Sequence, residues 1–217
     1  MDKRKYLYVV RHGQSESNVD HTKRGPDSPL TEKGIEQART VAYRFKKVPI
    51  EVVVASTMTR AKNTAEIIAE TIGSKEIIFS DLAREIDHPK EATGLSWNDP
   101  RTHHILRDIY WDNDGKKRPS GEESFEDISL RVIKLLDLIA KRPEEHILLV
   151  SHGRFMKALL GEVLLTESFS SKDFWRLLEH IGANNSGVSV FNYFPEDTYF
   201  KKPKWWLVSW NDTTHLD

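Results

Sequence analysis

The sequence predicts an α/β fold: a single three-layer α/β/α domain over residues 1–217, with a mostly parallel sheet and an antiparallel end. Three observations predict it. Short β-branched runs alternate with amphipathic stretches of helical period, the pattern of parallel crossover units whose sheet is covered on both faces. The last two strand-like runs follow one another across a turn-rich connection, as an antiparallel pair does. A chain of 217 residues buries roughly 70% of its unfolded surface, enough for one core without covalent staples.

In chain order, Met1 to Lys5 is too short and too polar for a secretory leader, so cytoplasmic residence is expected. Residues 6–10 follow as an apolar β-branched run and read as a buried strand. Residues 31–45 are a helix with Ile35, Ala38, Val41, Ala42 and Phe45 on one face. A strand at 51–55, a helix at 58–72 and a strand at 76–79 come next. Residues 88–118 break the rhythm: Pro89, Gly94, Pro100 and Gly115 interrupt them, and they are too long for an ordinary connection. They read as a lid insertion over one end of the sheet, with a short helix around 102–110. Ser124 followed by Asp127 has the spacing of a capping box and opens a helix over 124–140. A strand at 146–150 and a helix near 156–165 follow, then strands at 188–194 and 205–210 around a turn at 195–198. Trp205-Trp206 packs either on the domain or on a second copy of the chain, which leaves a homodimer open.

Composition excludes several functions. The chain has no cysteine, which removes disulfides, cysteine-ligated zinc, iron–sulfur clusters and thiol nucleophiles. Lysine plus arginine number 32 against 33 acidic residues, so no excess field holds nucleic acid or an anionic membrane. No apolar run reaches the ~18 residues of a membrane span. The aromatic complement of 6 Trp, 6 Tyr and 9 Phe argues against disorder.

In an open parallel sheet, ligands bind beyond the carboxyl ends of the strands. The first strand runs into Arg11-His12-Gly13, the second into Ser56 with Arg60 one helical turn on, and the fourth into Ser151-His152-Gly153. Two histidines and two arginines thus reach one crevice. Guanidinium forks and helix N-termini match phosphate oxygens, and an imidazole is a usable nucleophile near neutral pH when its other nitrogen is held as a donor. The glycine after each histidine suggests a backbone that turns sharply and comes close to a ligand. Alone, a His-Gly pair would be an ordinary loop and Arg60 an ordinary surface cation; their repetition at matching strand ends points to a phosphoryl site. His103-His104 lacks partners at ligand spacing and reads as lid surface, and Ser15 and Ser151 lack a Gly-x-Ser-x-Gly elbow.

These motifs resemble the histidine phosphatase superfamily, the phosphoglycerate mutase-like proteins. They run from Val10-Arg11-His12-Gly13-Gln14-Ser15 with Asn18, through Ser28-Pro29-Leu30-Thr31, Gly34, Gln37-Ala38, Ser56, Arg60, Thr64-Ala65, Arg84-Glu85-Ile86, Gly121-Glu122 and Ser124, to Ser151-His152-Gly153. Asn211-Asp212-Thr213 with His215-Leu216 resembles the end of the broad-specificity phosphatase branch. The resemblance implies a phosphomonoesterase acting on a phosphorylated small molecule through a phosphohistidine. His12 would be the nucleophile, Arg11, Arg60 and His152 would bind the phosphoryl oxygens, and Asn18 would add a phosphate or substrate contact. Glu85 would protonate the leaving oxygen and then activate water; its bland reading is a surface ion pair with Arg84, and Asp87 is the fallback acid. No metal and no cofactor is expected, because the cationic cluster supplies what Mg²⁺ supplies elsewhere.

The chain also departs from the family pattern. Ile86-Asp87-His88-Pro89-Lys90-Glu91 replaces the Arg-x-Tyr-Gly run associated with mutases, Gln14 stands where many carry glutamate, and Arg154 stands where a small residue is common, which is expected to reshape the pocket rim. A phosphoglycerate mutase is therefore the alternative, and a non-catalytic phosphate-binding scaffold the second. Lid charges nearly cancel, although Lys116-Lys117-Arg118 is a candidate clamp for a second anion.

Overall fold

The structure is a computed structural model that describes residues 4–20, 27–73, 76–87, 89–92, 94–96, 99–116, 121–196 and 203–216. Its elements are β1 (Lys5–Arg11), α1 (Glu16–Val19), α2 (Glu32–Phe45), β2 (Val52–Ser56), α3 (Thr59–Thr71), β3 (Glu76–Ser80), α4 (Pro100–Arg107), α5 (Phe125–Ala140), β4 (His146–Ser151), α6 (Gly153–Leu165), α7 (Ser171–His180), β5 (Val188–Phe194) and β6 (Lys204–Asp212).

The strands form one six-stranded sheet in the order β3-β2-β4-β1-β5-β6. The first four run parallel, and β5 and β6 are antiparallel to their neighbours, as expected from the sequence. Period-two alternation sends each strand's side chains into two cores. Leu7, Val9, Val52, Val54, Ile147 and Leu149 face the side covered by α5, α6 and α7. Val10, Val53, Ala55, Leu148 and Val150 face the side covered by α2 and α3. All of these are buried, and each fully buried aliphatic side chain is worth about 1.5–3 kcal/mol.

The capping box at Ser124 and Asp127 forms: the serine side chain accepts the Asp127 N–H while the carboxylate accepts the Ser124 N–H. Several elements depart from expectation, among them α1, which was not foreseen. In the segment expected to form a lid, α4 starts at Pro100, with Asp99 accepting the Arg101 N–H as its cap; a proline at the first helical position begins a helix instead of breaking one. It then runs into a π-helical turn, Asp108–Asp112. Helix α6 begins at Gly153, three residues earlier than expected, and α7 was not expected at all. Its signal was a second capping box, Ser170 with Asp173.

Trp205 packs against the Tyr193 ring, 5.0 Å between centroids, while Trp206 is 43% exposed. Turn residues 197–198, together with His88, Lys117 and Arg118, lie outside the described residues. Among the described residues, no helix is long and apolar enough to cross a membrane.

Candidate active site

The register of the sheet assembles the site. Arg11 pairs with Ser151 across β1 and β4, so the residues that follow, His12 and His152, leave the sheet side by side with ring centroids 5.0 Å apart. On the other flank of β4, Ala55 pairs with Val150, which brings Ser56 up to His152; Ser56 Oγ lies 2.8 Å from His152 Nε2. Both histidines are buried.

His12 Nδ1 donates to the Gly13 carbonyl at 2.7 Å. Its Nε2 is then the lone-pair nitrogen, and it accepts the Arg60 Nε–H at 3.1 Å. Burial first, and then the Arg60 and Arg11 guanidiniums, hold this imidazole well below the usual 6.5, against a smaller opposing pull from the Gly13 carbonyl. His152 is pushed in the same direction, again chiefly by burial and then by Arg60. Both rings are neutral at physiological pH.

Around these rings, Arg11 Nε, Arg60 Nη1 and His152 Nδ1 are buried and have no hydrogen-bond partner among the described residues. Leaving buried polar groups unsatisfied is costly, so three of them on the residues that flank the His12 ring call for an explanation. Each arginine is anchored at another nitrogen: Arg11 Nη1 donates to the Ala183 carbonyl, and Arg60 Nη2 points at Met58 Sδ.

Glu85 stands on this crevice in an unexpected way. Its carboxylate accepts the N–H groups of Ile86 (2.9 Å), Phe155 (3.0 Å) and Arg154 (3.3 Å), capping the N-terminus of α6. The bland alternative, a surface ion pair with Arg84, does not form; Arg84 reaches Asp87 at 3.4 Å on the exposed side. Asp87 is therefore turned toward solvent, and Glu85 is the carboxylate whose charge is felt at Arg11 and Arg60. Asn18 Oδ1 accepts from the Ser15 N–H, the Ser15 hydroxyl and Asn185 Nδ2, at 3.0–3.1 Å, which leaves its Nδ2 donors as the group it can present.

Two expectations are corrected. Neither Gly13 nor Gly153 has a positive φ. A side chain at Gly13 would overlap the Gly34 carbonyl, and Gly153 makes room for the Arg11 guanidinium, so both serve close packing behind the site, not a sharp turn. Arg154 is not a rim residue. It is buried, with Nη2 on the Tyr110 hydroxyl at 3.1 Å, tying α6 to the lid.

Sequence reasoning missed Asn185 and Arg131. Asn185 Nδ2 donates to the His12 carbonyl and to Asn18, both at 3.0 Å. Arg131 grips Glu123 through two bonds and donates to the Leu82 and Arg84 carbonyls, clamping the segment that carries Glu85.

The profile of the histidine phosphatase superfamily (branch 1) matches residues 7–213. The chain belongs to this superfamily. Among similar histidine phosphatase-like proteins, a probable phosphoglycerate mutase of Enterobacter sp. (strain 638) is 30% identical over 217 residues, covering 97% of this chain and 94% of that protein. A phosphoserine phosphatase mutant from Entamoeba histolytica, solved with phosphoserine, superposes with a TM-score of 0.77 at 26% identity over 98% and 99% of the two chains. A mycobacterial glucosyl-3-phosphoglycerate phosphatase complexed with VO3 gives 0.75 at 26% identity over 96% and 100%. As a histidine phosphatase the chain is an enzyme of the phosphoric monoester hydrolase type.

Proposed function

We propose that the chain hydrolyses a phosphorylated small molecule through a phosphohistidine at His12, without a metal or cofactor. The observation that carries this reading is the trio of buried, unpartnered nitrogens, Arg11 Nε, Arg60 Nη1 and His152 Nδ1, on the three side chains that flank the His12 ring. An oxyanion satisfies all three. The Nε2 lone pair attacks phosphorus, the bond from phosphorus to the ester oxygen breaks, and Glu85 gives that oxygen a proton. Water then attacks the phosphohistidine, Glu85 takes a proton from it, the N–P bond breaks, and inorganic phosphate leaves. In this reading the Ser56 hydroxyl, 2.8 Å from His152 Nε2, donates to it, so that the ring's own proton sits on Nδ1 and faces a phosphoryl oxygen. Asn18 adds a neutral donor to the substrate.

Residues 1–217 act as one domain in this reading, with 88–118 as its lid, and the enzyme works in the cytoplasm. The homodimer rests on Trp206, whose exposed ring offers a surface to a second copy.

The mutase reading is favoured by the names of curated relatives, probable phosphoglycerate mutases 29–30% identical to this chain. A mutase must hold a second anionic group and keep water from the phosphohistidine, yet the described lid cations Arg101 and Arg107 are paired with Asp99 and Asp112. Lys116 is described, but the rest of its basic run is not.

The test is His12→Ala assayed on p-nitrophenyl phosphate, with an acid-labile, base-stable phosphoenzyme sought in the parent by rapid quench. Loss of both turnover and phosphoenzyme is expected; a variant with parental activity overturns the mechanism. Supplied with 3-phosphoglycerate and 2,3-bisphosphoglycerate, the parent should release phosphate faster than it forms 2-phosphoglycerate. The reverse assigns the mutase.

A further inference from the structure

The segment between α7 and β5 holds the reacting groups from behind. The Ala183 carbonyl accepts Arg11 Nη1, Asn185 Nδ2 reaches the His12 carbonyl, and the Ser186 N–H donates to the Arg11 carbonyl at 2.9 Å. This segment has no regular secondary structure of its own, and Ser186 sits at a left-handed φ of 57°. A cleft of about 370 Å³, lined by Arg11, Gln37, Asn184, Asn185, Thr213 and Leu216, borders it, so hydrogen bonds and not close packing fix it on that side.

Those bonds come from residues 210–215. Trp210 Nε1 donates to the Gly182 carbonyl at 2.7 Å, and Asn211 Oδ1 accepts the Asn184 N–H at 2.7 Å. His215 Nε2 lies 2.9 Å from the Ser186 carbonyl. Arg44 can only donate, so its contact with His215 Nδ1 at 3.2 Å makes that nitrogen the acceptor and leaves the ring proton on Nε2, aimed at Ser186. Arg44 is itself held by Asp212 at 2.6 Å. Asn211 adopts a φ of 51°, which asparagine tolerates better than most residues, and its Oδ1 occupies the space a side chain at position 187 would need.

We infer that Asn211 and His215 are positioning residues for phosphoryl transfer, acting through Asn184 and Ser186 to set Arg11 and His12. The inference rests on the phosphohistidine reading above. Asn211→Gly keeps the left-handed backbone and removes the acceptor; Asn211→Asp keeps both. His215→Phe removes the donor to Ser186, and His215→Gln offers an amide donor in its place.

The assay measures kcat/KM for p-nitrophenyl phosphate and inhibition by orthovanadate, at a temperature where melting curves show each variant folded. Asn211→Gly and His215→Phe should lose on the order of 10²-fold in kcat/KM, the scale of a displaced reacting group. Vanadate affinity should fall in parallel, and the Asp and Gln variants should recover most of both. Parental kcat/KM and vanadate affinity in folded Asn211→Gly overturn the inference, as does a loss that Asn211→Asp does not rescue. His12→Ala in the same assay separates the two claims: if it is inactive while the tail variants match the parent, only the inference fails, and if it stays active, the phosphohistidine reading fails.

Discussion

His12 has its chemistry set by three neighbours, and each was differently visible in the sequence. The strand-end position of Arg11-His12 and of Ser151-His152 follows from a parallel sheet, so both histidines were legible. Asn185 was not, because strand exits mark the crevice of a parallel sheet, whereas β5 is antiparallel and its entrance lies on the edge where the parallel strands leave. Glu85 was legible as an acid but not as the cap of α6. That placement argues for a specific outcome with Glu85→Gln. Esters of alkyl alcohols, whose leaving oxygen needs a proton, should slow by about 10² to 10⁴-fold, while p-nitrophenyl phosphate slows far less. Measuring kcat/KM on both substrates checks this, and equal losses would shift the acid role away from Glu85.

At the scale of elements, α5 reaches the site through one side chain. Arg131, 12% exposed, forms two bonds with Glu123 and two with the carbonyls flanking Ala83, whose own carbonyl accepts the Ser151 hydroxyl. Replacing it with methionine strands a largely buried carboxylate at Glu123 and loosens the Glu85 segment. A loss of about 3 kcal/mol is expected, read as a lower urea midpoint, together with the same selective slowing of alkyl phosphates as in Glu85→Gln. A drop in stability without that selectivity would show that the clamp does not act on Glu85. In the sequence Arg131 is one more polar position on an amphipathic helix, since its partners are carbonyls that carry no sequence signal. Helix α7 was missed because it is short and follows α6 closely, with only Phe174 and Trp175 fully buried among its apolar residues. The lid helix was displaced by Pro100, read as a breaker when its place after Asp99 makes it a starter.

For the whole molecule, burying two neutral imidazoles links stability to pH. In the unfolded chain each titrates near 6.5, whereas in the folded chain both lie well below that. Below about pH 6.5 the unfolded state binds protons that the folded state refuses. Stability is therefore complete above that pH and falls as pH drops, by up to about 1.4 kcal/mol per histidine per unit, until the folded values are reached. Asp173 and Asp212, held low by hydrogen bonds and arginine partners, lose their contribution only in the more acidic range below the ordinary carboxylate value. Urea midpoints at pH 7.5 and 5.5 check this, and His152→Gln should roughly halve the difference. The order β3-β2-β4-β1-β5-β6 also bears on how the enzyme comes into being. The groups of the proposed site are carried by segments near residues 12, 60, 85, 152 and 185, and the two innermost strands, β1 and β4, come together only after more than a hundred intervening residues have been placed. Pairings of such sequence separation are slow to form. No sheet that lacks the β1–β4 pairing brings both histidines together, so during folding catalysis arises only when β1 closes against β4, and a nascent chain carries no phosphatase activity before that step.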